Sequence, residues 1–317
     1  MINLLKQLLE PAAPSGREDA VADVIEKLAA PYGQISRDVL GSVLVHRPGN
    51  GKKILCMAHM DSVGFVVNYI DADGFAHITA LGSLQPAEAL AQRVRFLDGT
   101  AGIVSACAGT DLKSLTMDQL YIDTAGQPVR VGDTAVYAAG LEQTGEMILA
   151  PFLGSRLSCA ILLKTLQQCQ GSENDLYFAF VVQEEMGARG AGPVAFTVAP
   201  ELGIFVCADT AGTVPDSSLQ PLKTGGGPVL KYMDGTTISD PAACLLVEQA
   251  ADSLGICLQA GVSPSGITGA YSMQTVLRGA AVTQLAFAAR YLHTPGEIAH
   301  LGDAEQCAQL LTEVLRR

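Results

Sequence analysis

Val181–Val182–Gln183–Glu184–Glu185–Met186–Gly187 directly follows the apolar run Leu176–Tyr177–Phe178–Ala179–Phe180. The run has the length and continuous apolarity of a buried strand in a central sheet, and the glycine-containing stretch after it reads as a turn. Two adjacent carboxylates therefore stand at the C-terminal edge of that strand. In open α/β sheets this is the edge outside which ligands bind. One carboxylate there can hold a metal ion while its neighbour takes a proton from the water that the metal polarises. The competing reading of so short a pair is a solvated acidic turn. The rest of the chain decides between them.

Upstream, residues 2–10 carry Leu and Ile at helical spacing and end before Pro11 and Pro14. Ser15 precedes Glu18 at capping-box spacing, and Val21, Val24, Ile25 and Leu28 continue a second amphipathic helix. Ser42–His46 and Lys53–Met57 read as strands joined by the turn Pro48–Gly49–Asn50–Gly51. The second of them runs into Ala58–His59–Met60–Asp61. In extended chain a His and an Asp two residues apart face the same way. The pair reads either as a structural histidine or as a metal-bound imidazole oriented by a carboxylate. From Val66 to Gly145 short β-like pieces (Val66–Ile70, Phe75–Thr79, Arg93–Phe96, Gly102–Ser105, Ala135–Tyr137) alternate with turn signals, which predicts an all-β insertion closing into a small barrel.

Downstream, Arg156–Cys169 is an amphipathic helix, and Gly203–Ala208 is another short apolar run that delivers Asp209 to the same sheet edge. Taken alone, an Asp after a strand is as often a helix cap. Gly225–Gly226–Gly227–Pro228 lacks the strand–helix context of a phosphate loop. Ala242–Ala251 and Thr268–Leu277 read as helices, Leu258 opens a strand, and Ala281–Phe287 is a last inner strand. The loop after it carries His293, and Asp303–Arg316 closes the chain as a helix. Alternation, β insertion and alternation again predict an α/β three-layer sandwich with a mixed central sheet plus an inserted small β-barrel domain. The expected division is a discontinuous catalytic domain over 1–66 and 142–317, interrupted by a β domain over 67–141.

Composition narrows the function. A chain of 317 residues exceeds what one core usually supports, which agrees with an insertion. The net charge of −12 and the absence of any Lys/Arg-rich run exclude nucleic acid and anionic membrane as partners. No apolar stretch reaches membrane-spanning length. Eight scattered Cys residues, mostly within apolar runs, point to buried thiols in a reducing compartment. The N-terminus has no basic region followed by an apolar core, so the expected location is cytoplasmic. His59, Asp61, Glu184, Glu185, Asp209 and His293 all fall at strand ends or adjacent loops. Imidazole and carboxylate donors without thiolate suit zinc, cobalt or manganese.

These residues, in this order, resemble the glutamyl aminopeptidase/tetrahedral aminopeptidase family of two-metal exopeptidases, some of whose members carry an endoglucanase-like name. The resemblance rests on His59–Met60–Asp61 with Gly64–Phe65, on Gln183–Glu184–Glu185–Met186–Gly187 with Arg189–Gly190–Ala191, on Asp209, and on Tyr291–Leu292–His293–Thr294–Pro295. It spans nearly the whole chain, with Pro14–Ser15–Gly16, Asp38, Gly41–Ser42 and Val131–Gly132–Asp133 also familial. It implies peptide substrates and dimers that assemble into a hollow dodecamer. It implies Glu184 as general base, His59, Glu185, Asp209 and His293 as ligands of zinc or cobalt, and Asp61 as support for the site.

The chain departs from the family at the stretch Phe152–Leu153–Gly154–Ser155–Arg156, where members carry Leu-Asp-Asp/Asn-Arg with a metal-bridging aspartate. Gly154 stands at the bridging position. Ser62 replaces a frequent Glu, and Thr268–Gly269–Ala270 replaces Thr-Asp-Ala. Each metal position then keeps two ligands, Glu185 with His293 and His59 with Asp209, where a catalytic zinc normally takes three plus water. Two expectations remain open: an aminopeptidase-like hydrolase with one or two metals per chain and an atypical site, or a catalytically silent paralogue serving as a binding or assembly subunit.

Overall fold

Continuous apolar runs form the middle of one eight-stranded sheet, as strands buried on both faces require. The computed structural model describes residues 1–138, 140–212 and 222–317. In chain order, α1 (Ile2–Leu9) and α2 (Asp19–Ala29) precede β1 (Gln34–Arg37), β2 (Val43–Arg47) and β3 (Lys53–His59). Six strands follow, β4 (Gly64–Ile70), β5 (Ala76–Leu81), β6 (Arg93–Phe96), β7 (Ala101–Ala106), β8 (Leu120–Asp123) and β9 (Thr134–Tyr137), with the single-turn α3 (Pro86–Ala89) between β5 and β6. Then come β10 (Glu142–Thr144), β11 (Met147–Ala150), α4 (Leu153–Gln168), β12 (Asp175–Val181), α5 (Ala191–Val198) and β13 (Leu202–Thr210). The chain continues with β14 (Val229–Met233), α6 (Pro241–Leu254), β15 (Gln259–Val262), α7 (Ala270–Thr275), β16 (Ala281–Ala289), β17 (Glu297–His300) and α8 (Leu301–Val314).

The large sheet has the order β1-β2-β12-β3-β13-β16-β14-β15. Its middle strands β12, β3, β13 and β16 are parallel, whereas β1/β2, β2/β12 and β16/β14 pair antiparallel, so the sheet is mixed. Side-chain alternation assigns its two faces. Ile54, Cys56 and Ala58 of β3 join Leu5, Ile25, Leu163 and Leu310 in one core, under α1, α2, α4 and α8. Leu55 and Met57 join Val194 and Met273 in the other, under α5 and α7. The result is the expected three-layer α/β sandwich.

Strands β4 to β9 close a separate barrel in the order β4-β5-β8-β7-β6-β9, with Phe65, Ile78, Val94, Phe96, Val104 and Ile122 filling it. β10, β11 and β17 form a short antiparallel sheet of their own, in that order.

Several local expectations need correction. The turn Pro48–Gly51 does link β2 to β3, but the two strands do not pair: β12 lies between them, antiparallel to one and parallel to the other. Ser15 is not a helix cap, because its hydroxyl is drawn to the buried Asp61 and α2 begins only at Asp19. Thr268–Leu277 forms only the short α7, since Thr268 is held in the loop by Asp234. β14 and β8 escaped notice because their runs are short and flanked by turn residues.

Candidate active site

The four parallel strands end together at Val181, His59, Thr210 and Ala289. Pairing registers Val181 with His59 and Asp209 with Ala288, so the following loops converge on one edge. A cavity of about 360 Å³ opens there. His59, Glu184, Glu185 and His293 line it, as do Gly154 and Glu297.

Asp61 organises the centre. It is closed to solvent, and its carboxylate accepts the Glu184 amide at 2.9 Å and the Glu185 amide at 3.0 Å, together with the Ser15 hydroxyl. Its Oδ1 also lies 3.3 Å from His59 Nδ1. One carboxylate thus ties the end of β3 to the turn after β12. An Nδ1 proton donated to Asp61 leaves His59 Nε2 free for a ligand. Burial works to hold Asp61 protonated, but His59, Ser15 and the amides prevail and keep its pKa below the usual carboxylate range. For His59, burial favours the neutral form, and the Asp61 hydrogen bond with the nearby carboxylates overcomes it, raising the imidazole to about 9.

Glu184 Oε1 accepts the Gly269 amide at 2.9 Å. Its Oε2 is buried and has no hydrogen-bond partner among the described residues. An orphaned buried carboxylate oxygen carries a substantial desolvation cost, which marks a place for a ligand or water. Burial pushes the Glu184 pKa up to about 8, against the opposing pull of His59. Without a metal ion beside it, burial favours the protonated form of this acid near neutral pH, even with His59 close by.

Glu185 and His293 are brought together, with Oε1 and Nε2 separated by 3.4 Å. His293 Nδ1 lies 3.1 Å from the Ser83 carbonyl and donates its proton there, so in the neutral ring the Nε2 lone pair faces the carboxylate. Two facing lone pairs call for a cation between them. Ligand atoms bound at about 2.1 Å around one tetrahedral ion stand about 3.4 Å apart, so this pair fits one metal position. Gly82, at φ +85, lets the loop after β5 pass close to Glu185; a Cβ there would meet Glu185 Oε2 at 3.0 Å.

The other proposed position does not fit. Asp209 is 5% exposed and does not line the cavity; its Oδ2 lies 3.4 Å from the buried Lys231 ammonium, and the Ser263 hydroxyl donates to it. The structure brings His59 to the cavity but leaves Asp209 with its charge already matched. Among the described residues, no three His, Cys, Asp or Glu side chains are placed to hold a metal ion.

Glu297 and Lys231 were missed by sequence reasoning, and Gly269 stood out only as a departure from the family, not as a donor to Glu184. Glu297 is 2% exposed and accepts two amides, Gly154 through Oε2 and His293 through Oε1, each at 2.8 Å. It therefore places a carboxyl group at the start of α4 and pins the His293 turn. Burial raises its pKa to about 7 against those amides. Its place four residues after His293 was a usable signal. Lys231 gave none, because a lysine inside a short strand reads as an exposed edge residue. The retained Arg156 is fully buried, donating to the carbonyls of Leu8 and Met60 and so bracing the end of β3. Backbone strain clusters here too: Phe152, Gln183, Tyr291 and His293 are non-glycine residues at positive φ.

The glutamyl aminopeptidase family M42 matches residues 41–310. A relative from Acetivibrio thermocellus is 31% identical, over 99% of this chain and 98% of its own length. The lysyl aminopeptidase of Pyrococcus furiosus is 28% identical over 98% of this chain and 96% of its own. Among solved structures, the aminopeptidase APDkam598 of the archaeon Desulfurococcus kamchatkensis superposes with a TM-score of 0.95 at 28% identity, covering 99% of this chain and 94% of that one. With residues 41–310 matched by the family model, this chain belongs to the M42 glutamyl aminopeptidases.

Proposed function

We propose that this protein is a metal-dependent aminopeptidase that removes N-terminal residues from peptides, with an atypical site built for one divalent cation, zinc or cobalt, at Glu185 and His293. The observation that carries this reading is the buried, unpartnered Oε2 of Glu184 in the cavity that also holds the Glu185–His293 pair. A silent relative has no use for an orphaned acid.

A divalent cation held there supplies positive charge that polarises a substrate carbonyl and acidifies water. Every other part falls to the chain. Glu184 accepts a proton at Oε2, while the Gly269 amide fixes Oε1 and so aims the free oxygen. Positive charge nearby lowers the Glu184 pKa from about 8 and makes it a base at neutral pH. Asp61 holds the backbone of Glu184 and the ring of His59, whose Nε2 offers a hydrogen bond or a third donor. Enclosure by the loop after β5 limits competing water.

The second reading is a silent binding or assembly subunit. Gly154 at the bridging position and the Lys231–Asp209 pair favour it. A leucine or lysine anilide assay with added zinc or cobalt separates the two: turnover lost in Glu184→Gln supports the hydrolase, and no turnover on any peptide or anilide supports the silent subunit. The reading extends to a homo-oligomer, from dimer to dodecamer, supported by family membership and by exposed Ile238, Val262 and Leu277. It takes 67–141 as the inserted domain and the cytoplasm as the location, supported by the closed barrel and by eight free cysteines.

A further inference from the structure

One wall of the cavity comes from β13 and the loop before α7, and it contributes Phe205, Cys207, Ala208, Ile267 and Thr268. None of these side chains is charged. Phe205 is fully buried, and its ring sits where the family's third departure falls: a Cβ on Gly269 would meet Phe205 Cε2 at 2.6 Å and Ala191 Cβ at 2.8 Å. Glycine is thus required at 269, and the aromatic ring fills the space beside it. Phe152 and Leu292 extend the apolar lining on the α4 side. The lining carries three acids, Glu184, Glu185 and Glu297, and neither Lys nor Arg.

We infer that the cavity selects an uncharged apolar N-terminal side chain, of leucine, methionine or phenylalanine type, and that Ile267, on a wall backed by the buried Phe205, sets this preference. The inference rests on the aminopeptidase reading and names the substrate class of that site. The acids of the lining attract the substrate's ammonium group, and the wall without charge is left for the side chain. A glutamyl side chain would be desolvated on that wall, which carries no cationic group. A lysyl side chain would give up water for phenylalanine and isoleucine with no carboxylate on that wall. A bound apolar side chain gains its burial at no such cost.

The test is a panel of leucine, phenylalanine, lysine and glutamate anilides on zinc- or cobalt-supplemented protein, with calorimetric binding of the four amino-acid amides in parallel. Leucine or phenylalanine should exceed glutamate and lysine in kcat/KM by at least about tenfold. Turnover that favours glutamate or lysine would overturn the inference and leave the aminopeptidase reading intact. If no anilide is cleaved, that reading fails, and the amides decide: tighter binding of leucinamide supports the apolar cavity. Equal, reversed or absent amide binding overturns it. Phe205→Ala opens a void in the core, so the informative variant is Ile267→Arg at a position 59% exposed. It should raise glutamyl over leucyl binding or turnover by about tenfold. An unchanged ratio would show that the side chain does not lie on this wall.

Discussion

The Gly154 amide donates to Glu297 Oε2 at 2.8 Å, so a buried acid already occupies the helix start where a bridging aspartate is expected. Gly154 is not at positive φ, and a Cβ there would meet Leu292 at 3.4 Å and Ala208 at 3.8 Å, which are ordinary contacts. Gly154→Asp should therefore fold and bind zinc and cobalt more tightly. At an effective dielectric near 20, a unit charge pair about 4 Å apart is worth roughly 4 kcal/mol before desolvation. The same Cβ lies 3.9 Å from Glu297 Oε2, so the metal-free variant should be less stable than wild type through like-charge crowding. Zinc titration calorimetry together with thermal denaturation in chelator reads both effects. A folded variant that binds no more metal than wild type would favour the silent subunit.

Glu184→Gln should reduce kcat by a factor of about 10² to 10⁴, the usual contribution of a general base. Glutamine keeps an oxygen for the Gly269 amide, so neither the fold nor the metal content should change. Steady-state kinetics and elemental analysis on one preparation check this, and activity that survives would remove Glu184 from the mechanism.

Asp61→Ala should cost stability on the order of 3–5 kcal/mol, because it strands a buried imidazole, a hydroxyl and two amides. Asp61→Asn, which keeps oxygen acceptance on one side, should cost less. Urea unfolding of the two variants measures the difference; near-equal midpoints would contradict Asp61 as the tie between β3 and the Glu184 turn.

Stability of the metal-free protein should fall as pH rises through neutrality. His59 is raised to about 9 from 6.5, Glu184 to about 8 and Glu297 to about 7 from 4.5. Each binds its proton more tightly folded than unfolded, so from 4.5 to 9 the native state holds more protons and higher pH destabilises it. Asp61 has the opposite sign: its pKa is lowered from 3.8, so its contribution is present above that value and lost on acidification. Stability should peak in the weakly acid range, with a slope of roughly 1.4 kcal/mol per pH unit for each proton unmatched. Urea midpoints in chelator at about pH 5.5, 7 and 9 should decline in that order; a rise would mean that the buried acids are ionised in the fold.

The sheet was legible because its strands are apolar runs followed by polar residues that strand geometry cannot use. The run 176–180 and His59–Met60–Asp61 announced both a strand and what it delivers. Strand order was not legible, since nothing local says that β12 enters between β2 and β3. The same limit governed the site. Glu184, Glu185, His59 and His293 could be read because each stands at the end of a strand or in the loop just after one. The pairing of Asp209 with Lys231 could not, because it joins β13 to β14 across the intervening β16. Ser15 was misassigned for a related reason: its partner lies 46 residues away, whereas a capping box is judged over three.

Metal content per chain, measured on protein purified without chelator and dialysed against zinc, tests the central claim most directly. With one fitting pair at Glu185 and His293 and Asp209 held by Lys231, the expected result is at most one tightly bound ion per chain. Two tightly bound ions per chain would contradict it, and would require Asp209 to leave Lys231 for a metal that it shares with His59.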